Sequence, residues 1–412
     1  MKQNQVTTIP ILLLFVLAAL LAGAWLPEWT WGDFHFRRPD LLSDVRQDAA
    51  DSADHPLARV TEDSVRTEPE RTQHGIAAIE EYGSDNLKYF FRALRRARST
   101  SVRVAFFGDS FIEGDILCAP FRDTLQRVFG GSGVGYVPIT SEVSKFRTTV
   151  QHDFAGWHTY SMVGQKSPFA PLGLPGFCFR PTEENNVLYR PSRKKFVTAK
   201  FFYACDRSVG LNYTLNDSVV ARVALEPTEG LASFRFPGRN FSSVGFSFSP
   251  SDSLRLYGAA FEDSVGISVD NFAMRSNPGM GLLLVGQRQM KEFYDQRRYQ
   301  LVILQYGLNV LSDKDTTGYT WYLDKMTAVI RRLKENFPQC GFLLLGVGDR
   351  SGNQHGKLAT LPDIKIMRNI QRKIAQKSEI AFWDLYEAMG GENSMIRYAE
   401  AQPPLAAKDY TH

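Results

Sequence analysis

Cysteine is scarce in this chain. Its 412 residues hold four, Cys118, Cys178, Cys205 and Cys340, and no two form a C-x-x-C pair. That excludes a disulfide scaffold and leaves no common zinc-binding spacing. Charge of one sign is also lacking. Lysine and arginine number 48 against 44 aspartates and glutamates, a net +4. With no basic stripe along the chain, a nucleic-acid partner is excluded. Long apolar runs are limited to one, near the start, which excludes a multi-span membrane protein. Hydrophobic content of 43% and charged content of 22% exclude wholesale disorder. No repeat of fixed period is visible.

The single apolar run, Ile9 to Leu26, follows Lys2 and contains no charge. Its length falls between the core of a signal peptide and a spanning helix. Ala22-Gly23-Ala24 offers a small-residue cleavage site, while Trp25, Leu26, Trp29 and Trp31 continue it as an interfacial aromatic belt. Residues 1–26 are therefore a signal peptide or signal anchor, and both readings export the rest to the cell envelope or the periplasmic face of the membrane. No cysteine follows the run, so a lipoprotein is excluded. Asp44 to Gln73 is polar and poor in apolar residues, which makes 27–74 a linker. Export permits a disulfide, and Cys178 with Cys205 is the expected pair because both fall in one segment.

Beyond the linker the chain changes texture twice. Gly75 to Arg98 carries a helical apolar pattern, and SVRVAFFGDSF is a short apolar strand running into a turn. ILCAPFRDTLQRVFGG reads as a helix stopped by Gly130 and Gly131. From Tyr136 to Asp263, alternating strands such as KFVTAKFFYAC, GLNYTLN and SVGFSFS are separated by Gly, Pro, Asn and Asp turns. Afterwards buried strands (YQLVILQYGLN, CGFLLLGVGD, IAFWDL) alternate with amphipathic helices. The expected fold is α/β, a three-layer parallel sheet with helices on both faces, interrupted by an all-β insertion. Residues 75–135 and 264–412 form the α/β domain and 136–263 the insert.

Ligands of open parallel sheets bind outside the carboxyl ends of the strands. There the sequence places Gly108-Asp109-Ser110, Gly307-Leu308-Asn309 and Gly346-Val347-Gly348-Asp349, with Asp409-Tyr410-Thr411-His412 at the end of the chain. These are the parts of an acyl-transfer site. Serine is a weak nucleophile until an imidazole takes its proton, and the imidazole needs an acceptor to fix its tautomer. Ser110, His412 and Asp409 supply the three groups. Gly108 lets the chain turn so that Ser110 projects, and Gly307 is a supporting residue at the end of the strand before Asn309. The Ser110 N–H and the Asn309 amide can aim at one developing oxyanion. Asp109 reads as a structural acceptor for backbone N–H groups.

These blocks resemble those of the SGNH (GDSL-type) hydrolases: FFGDSFIEGD the first, QYGLN the Gly-x-Asn block, DYTH the last. Within that superfamily the chain is most similar to the peptidoglycan O-acetylesterases with a carbohydrate-module-like β insertion. GDILCAPFRDTLQRVFGGSGVGYVP, the insert itself and AFWDLYEAMGGENSM carry that likeness, over about Leu87 to His412. The resemblance implies a flavodoxin-like SGNH fold and a serine esterase with an O-acylated glycan as the partner of Ser110. An O-acyltransferase to a sugar hydroxyl and a non-catalytic glycan-binding envelope protein are the alternatives, and no cofactor or metal is expected. It also implies a further oxyanion glycine after the insert. SVDNFAMRSNPGMG stands there, with Ser276 at the aligned position and Gly279 nearby. Relatives continue past the histidine into a terminal helix, so the expectation at His412 is a chain cut short or an unusually mobile loop.

Secondary candidates remain. His355, in RSGNQHGK, is expected in a loop at the catalytic edge, as a solvated residue or a substrate contact. Trp157, in a Gly-Trp loop of the insert, is the expected sugar-stacking aromatic, against the alternative that insert aromatics fill a core. His152 and His158 flank Asp153 without a further ligand at a metal-binding spacing. If the insert only recruits glycan, it should be dispensable for cleaving a small aryl ester. No protein partner is inferred.

Overall fold

The computed structural model describes residues 29–31, 34–36, 77–163, 171–192, 195–312 and 318–411. The chain divides into two units, Met1–Arg71 and Thr72–His412. In the first, β1 (Trp29–Trp31) and β2 (Phe34–Phe36) pair antiparallel, Trp29 opposite Phe36. The aromatic alternation on either side of Gly32-Asp33 favours strands over the linker expected for 27–74. The apolar run Ile9 to Leu26 and the spacer from Asp44 to Gln73 lie outside the described residues. No helix among the described residues is long and apolar enough to cross a membrane.

The second unit begins with β3 (Glu80–Glu81), α1 (Lys88–Leu94), β4 (Ser101–Gly108) and α2 (Cys118–Phe129). Nine strands follow: β5 (Gly135–Val137), β6 (Val150–Ser161), β7 (Phe177–Pro191), β8 (Thr198–Ala204), β9 (Val209–Leu215), β10 (Ser218–Leu225), β11 (Ala232–Arg235), β12 (Val244–Phe248) and β13 (Arg255–Glu262). The α/β alternation then resumes with β14 (Gly266–Ala273), α3 (Gln287–Arg297), β15 (Leu301–Gln305), α4 (Thr320–Asn336) and β16 (Gly341–Leu345). It ends with the hairpin β17 (Ser351–Gln354) and β18 (Lys357–Thr360), α5 (Pro362–Ser378), β19 (Ala381–Trp383), α6 (Leu385–Ala388) and α7 (Ser394–Glu400).

The α/β sheet runs β14-β4-β15-β16-β19-β3, parallel except for β3 at its edge. Alternate residues of each strand face opposite layers. Val102, Val104 and Phe106 pack with Leu87 and Phe90 beside α1 and with Cys118 of α2. Ala105 and Phe107 turn to the layer of α3, α4 and α5, with Phe293, Met326 and Ile370. This is the expected three-layer arrangement. The helix expected over Gly75 to Arg98 is shorter, because Glu80–Glu81 pairs with Ala381 and Phe382 instead. Arg372 fixes that edge by gripping the Glu80 carboxylate at 2.9 Å.

Strands β5 to β13 form one nine-stranded antiparallel sheet in the order β10-β9-β12-β7-β13-β8-β11, with β5 on β13 and β6 on β7. One of its faces closes on an aromatic core of its own, including Phe201, Phe236, Phe246 and Phe261. The other contributes Tyr136, Cys178, Phe202, Tyr257 and Ala260 to the core of the α/β layer. There Phe202 meets Phe293 of α3 with ring centroids 5.4 Å apart. Cys178 and Cys205 thus belong to different cores, and both are free thiols. The expected disulfide is absent because the sheet lies between the two sulfurs.

Buried charge spans the same junction. The Arg297 guanidinium donates through Nε and Nη2 to Asp270 at 2.8 and 2.7 Å, and through Nη1 to Glu262 of β13 at 2.9 Å. Arg103 donates to Glu262 at 2.9 Å, and Lys200 lies 3.2 Å from it. Burial alone would raise the Glu262 carboxyl, but Arg297, Arg103 and Lys200 hold it well below the usual carboxylate range. Burial, with Arg297's charge, pushes the Lys200 ammonium down to about 8 despite the pull of Glu262.

Candidate active site

Register places the site. Gly108 lies opposite Ala273 of β14 and Gln305 of β15, and Gln305 opposite Leu345 of β16. The carboxyl ends of four parallel strands are therefore level, and the loops leaving them carry Ser276, Ser110, Asn309 and Asp349.

Gly108 is still strand, and its role differs from the expected sharp turn. A Cβ there would stand 2.9 Å from the Ile112 side chain and 3.1 Å from the Gln305 carbonyl oxygen. It is glycine because neighbouring chains approach closely. Gly307 does have a left-handed backbone, with φ 121°, and a Cβ on it would meet Gln371 Nε2 at 2.7 Å. Gln371 is itself a clasp: its amide donates to the Tyr306 carbonyl at 2.7 Å and accepts from the Val347 N–H at 2.7 Å. It ties the loops after β15 and β16 together.

Asp109 is completely buried. One carboxylate oxygen accepts the Phe111 N–H at 3.1 Å, and the other accepts Asn309 Nδ2 at 2.9 Å. The first bond matches the expected backbone acceptor. The second binds the Ser110 loop to the Asn309 loop. A carboxylate accepts only, so it fixes which end of the Asn309 side chain carries N–H groups. One N–H is held by Asp109, and the second makes no hydrogen bond among the described residues.

Ser276 has φ 60° and follows β14 by three residues. Its N–H makes no hydrogen bond among the described residues. Gly279 differs, for its N–H donates to Asn277 Oδ1 at 2.9 Å. That bond engages the Gly279 N–H within its own turn. Asn277, buried and missed in the sequence, organises the turn; the Asn-Pro-Gly run in SNPGMG is the signal that could have shown it.

Asp409 Oδ1 accepts the Thr411 N–H at 3.0 Å, and the Tyr410 carbonyl accepts the Ser351 N–H at 3.1 Å. The second bond moors the Asp409 loop to the start of β17, beyond the end of β16. His412 lies outside the described residues. Asp349, at the same edge, is buried and accepts from Thr360 Oγ1 and the Met395 N–H, both at 2.8 Å. His355 sits exposed at the tip of the β17–β18 hairpin with φ 52°.

A cleft of about 870 Å³ opens beside this edge, between the Ser110 and Ser276 loops and the nine-stranded sheet. Glu113, Arg275 and Ser276 line one side, and Arg147, Trp157 and Phe177 the other. Trp157 lies in β6 rather than in a loop, just after a bulge at Gly156 (φ 75°), and its Nε1 donates to the Asn186 carbonyl at 2.8 Å. Arg275 pairs with Glu113 at 2.6 Å near the mouth. Asp115 forms the cleft's rigid base, held by Arg122 at 2.6 Å, by Thr149 at 2.8 Å and by Asn271 at 3.1 Å. Burial would raise its carboxyl, yet Arg147 and Arg122 keep it far below the usual range. His152 is core, stacked on Tyr189 at 4.7 Å with Nε2 3.0 Å from the Ile139 oxygen. Burial pushes its imidazole down to about 3.

No family model matches this chain, and no curated protein matches it. Among solved structures, "Peptidoglycan O-acetylesterase in action, 5 min" superposes with a TM-score of 0.67 at 18% identity, over 81% of this chain and 93% of that one. The chain has the fold of that esterase. An acetyl xylan esterase (TM-score 0.26, 19% identity, 35% of this chain and 73% of that one) and a lipase/acylhydrolase from Enterococcus faecalis (TM-score 0.26, 20% identity, 36% and 67%) overlap smaller parts. The first match takes in most of the chain.

Proposed function

We propose that this chain is a serine esterase of the SGNH type that removes O-acyl groups, O-acetyl above all, from a glycan of the cell envelope. The observation that carries the reading is the bond from Asn309 to Asp109, which couples an amide donor to the loop of Ser110 at the carboxyl edge of a parallel sheet. In this reading Ser110 Oγ attacks the ester carbonyl while His412 takes its proton. The oxyanion receives hydrogen bonds from the Ser110 and Ser276 N–H groups and from Asn309 Nδ2. The C–O bond to the sugar breaks, and His412 returns the proton to the leaving sugar oxygen. Water, deprotonated by the same imidazole, then cleaves the acyl-Ser110 ester and releases acetate. Asp409 orients His412 throughout.

The cleft wall of Trp157, Phe177 and Arg147 supports a polymeric substrate, since it extends well beyond the space one acetyl group fills. The likeness of fold to a peptidoglycan O-acetylesterase supports a glycan ester. The apolar run Ile9 to Leu26 supports export and a membrane tether. The test is acetate release from O-acetylated peptidoglycan, O-acetylated xylan and a soluble aryl acetate, by the wild-type chain and by Ser110→Ala. Release from a glycan by the wild type, lost in Ser110→Ala with the fold intact, is the expected result. Ser110→Ala turnover near wild type would end the serine mechanism. Appearance of acetyl on an added sugar, in place of free acetate, would make the chain a transferase.

A further inference from the structure

At the opposite, amino-terminal end of the parallel sheet lies a second pocket, of about 420 Å³. It is bounded by α1 and the turns after it, by the start of β4 and by the segment between α3 and β15. Arg92, Arg96 and Arg298 line it, together with Ser101 and Gln339, and no carboxylate does. Arg92 and Arg96, four apart, project from one side of the same stretch, and neither forms an ion pair among the described residues. Arg298 reaches the pocket from a left-handed residue, φ 53°, at the end of α3, where its N–H closes on the Tyr294 carbonyl at 2.6 Å. Its guanidinium lies over the Tyr294 ring and 3.3 Å from Asp295, an exposed carboxylate outside the pocket lining. Gln300 braces the floor, accepting the Arg103 N–H at 2.8 Å and donating to the Arg298 carbonyl at 2.6 Å. Ser101 Oγ is buried there with no hydrogen-bond partner.

Arg92 and Arg96 have no counter-ion among the described residues, and Arg298 has only the exposed Asp295, so the pocket carries a surplus of positive charge that an anion would neutralise. Elsewhere in the molecule buried arginines are paired: Arg122 with Asp115, Arg297 with Asp270. We propose that this pocket binds the phosphate group of a phosphate ester. Guanidinium forks match phosphate oxygens, and a phosphate carries enough acceptors to engage three arginines and the Ser101 hydroxyl together. The volume lies within the range of roughly 300–1,000 Å³ typical of small-ligand sites, which leaves room for the alcohol part of the ester. A lipid headgroup and a soluble phosphate ester present this same chemistry.

The test titrates the full-length chain, in neutral detergent at low salt, with sn-glycerol 3-phosphate by calorimetry, with glycerol and acetate as controls. Saturable binding of the phosphate ester, with neither control bound, is expected. Arg92→Gln/Arg96→Gln and Arg298→Gln should each weaken it at least tenfold. These side chains are exposed at their tips, so the ligand-free melting temperature should stay at the wild-type value, which separates a lost site from a lost fold. A second arm compares the same proteins on phosphatidylglycerol and phosphatidylcholine vesicles. A wild-type preference for phosphatidylglycerol that the variants lose assigns the phosphate to a lipid; equal vesicle binding with tight soluble ester assigns it to a soluble one. Wild-type binding no stronger than acetate in both arms, or variants that bind as the wild type does, would overturn the proposal.

Discussion

In the α/β sheet, β14, β4, β15 and β16, of five to eight residues each, bury both faces under helices. In the nine-stranded sheet one face is sealed by its own aromatics and the other rests on the α/β layer. The first arrangement leaves only strand ends for chemistry, and the catalytic candidates gather there. The second leaves an edge, where β6 and the loop before it wall the cleft. The difference teaches that the insert is no pendant module. It completes a hydrophobic core, shares a buried charge cluster and supplies one side of the candidate site.

Removing residues 136–263 and bridging the gap with a short linker is the strongest way to break that relation. The inserted sheet covers α3 with Phe202 and Tyr257 and covers β14 with Tyr136, each worth roughly 1.5–3 kcal/mol when fully buried. Deleting it also removes Glu262, one of the two carboxylates that hold the buried Arg297. The expected outcome is a chain that fails to fold, losing turnover of small and polymeric esters alike. This reverses the sequence-based expectation of a dispensable insert. A soluble, cooperatively melting deletion variant that still cleaves an aryl acetate would restore the appendage view.

A gentler cut goes through the charge cluster. Arg297→Met leaves Asp270 and part of Glu262 buried without their partner, at a cost of about 3–5 kcal/mol. Chemical denaturation checks it; a loss under 1 kcal/mol would mean that Arg103 and Lys200 suffice. The cluster also sets an acid limit. Glu262 is held below its unfolded value near 4.5, so the unfolded chain binds the proton more readily. Stability from this group is present above that pH and falls away as pH drops through the folded value. Glu262→Gln should be less stable than wild type at neutral pH, with a shallower loss on acidification. Parallel curves for the two proteins would remove Glu262 from the acid response.

At the strand ends the effects should fall on turnover rather than on folding. Asn309→Ala should lower kcat by about a hundredfold, roughly 3 kcal/mol, with little change in KM, because an oxyanion donor acts mainly in the transition state. Asp109→Asn keeps the size but no longer dictates which way the Asn309 amide faces. It should lower kcat in the same direction and less steeply, without raising KM. Should both variants lower the melting temperature and keep kcat, the pair only braces two loops.

The sequence was most legible where one rule acted alone. Continuous apolar strands ending in Gly108 and Gly307 announced a parallel sheet and the edge where its candidate residues gather, because strand polarity fixes where loops meet. It was least legible where partners lie far apart in the chain. The pairing of Asp109 with Asn309, two hundred residues away, has no local signature. Glu80–Glu81 joins the sheet only because β19 offers it a free edge, so helical periodicity misled there. Ser276 stood at the aligned oxyanion position with Gly279 nearby, and the bond that engages the Gly279 N–H lies in a turn that sequence alone shows only as Asn-Pro-Gly.

Trp157 offers the finest division between the two regions. Its ring packs on the insert core, edge to face with Phe248 at 6.2 Å, and it also lines the cleft. If the nine-stranded sheet only supports the α/β domain, Trp157→Ala should cost stability and leave KM for every substrate alone. If its wall holds glycan, a stacking contact worth about 1 kcal/mol is lost, and KM for the polymer should rise roughly fivefold. Turnover of an aryl acetate should not change, because that ester never reaches the wall. Trp157→Phe discriminates further: it keeps the ring and drops the bond to the Asn186 carbonyl. Polymer KM near wild type in Phe and raised in Ala would assign the contact to the ring face. Equal KM in all three proteins would confine Trp157 to the core.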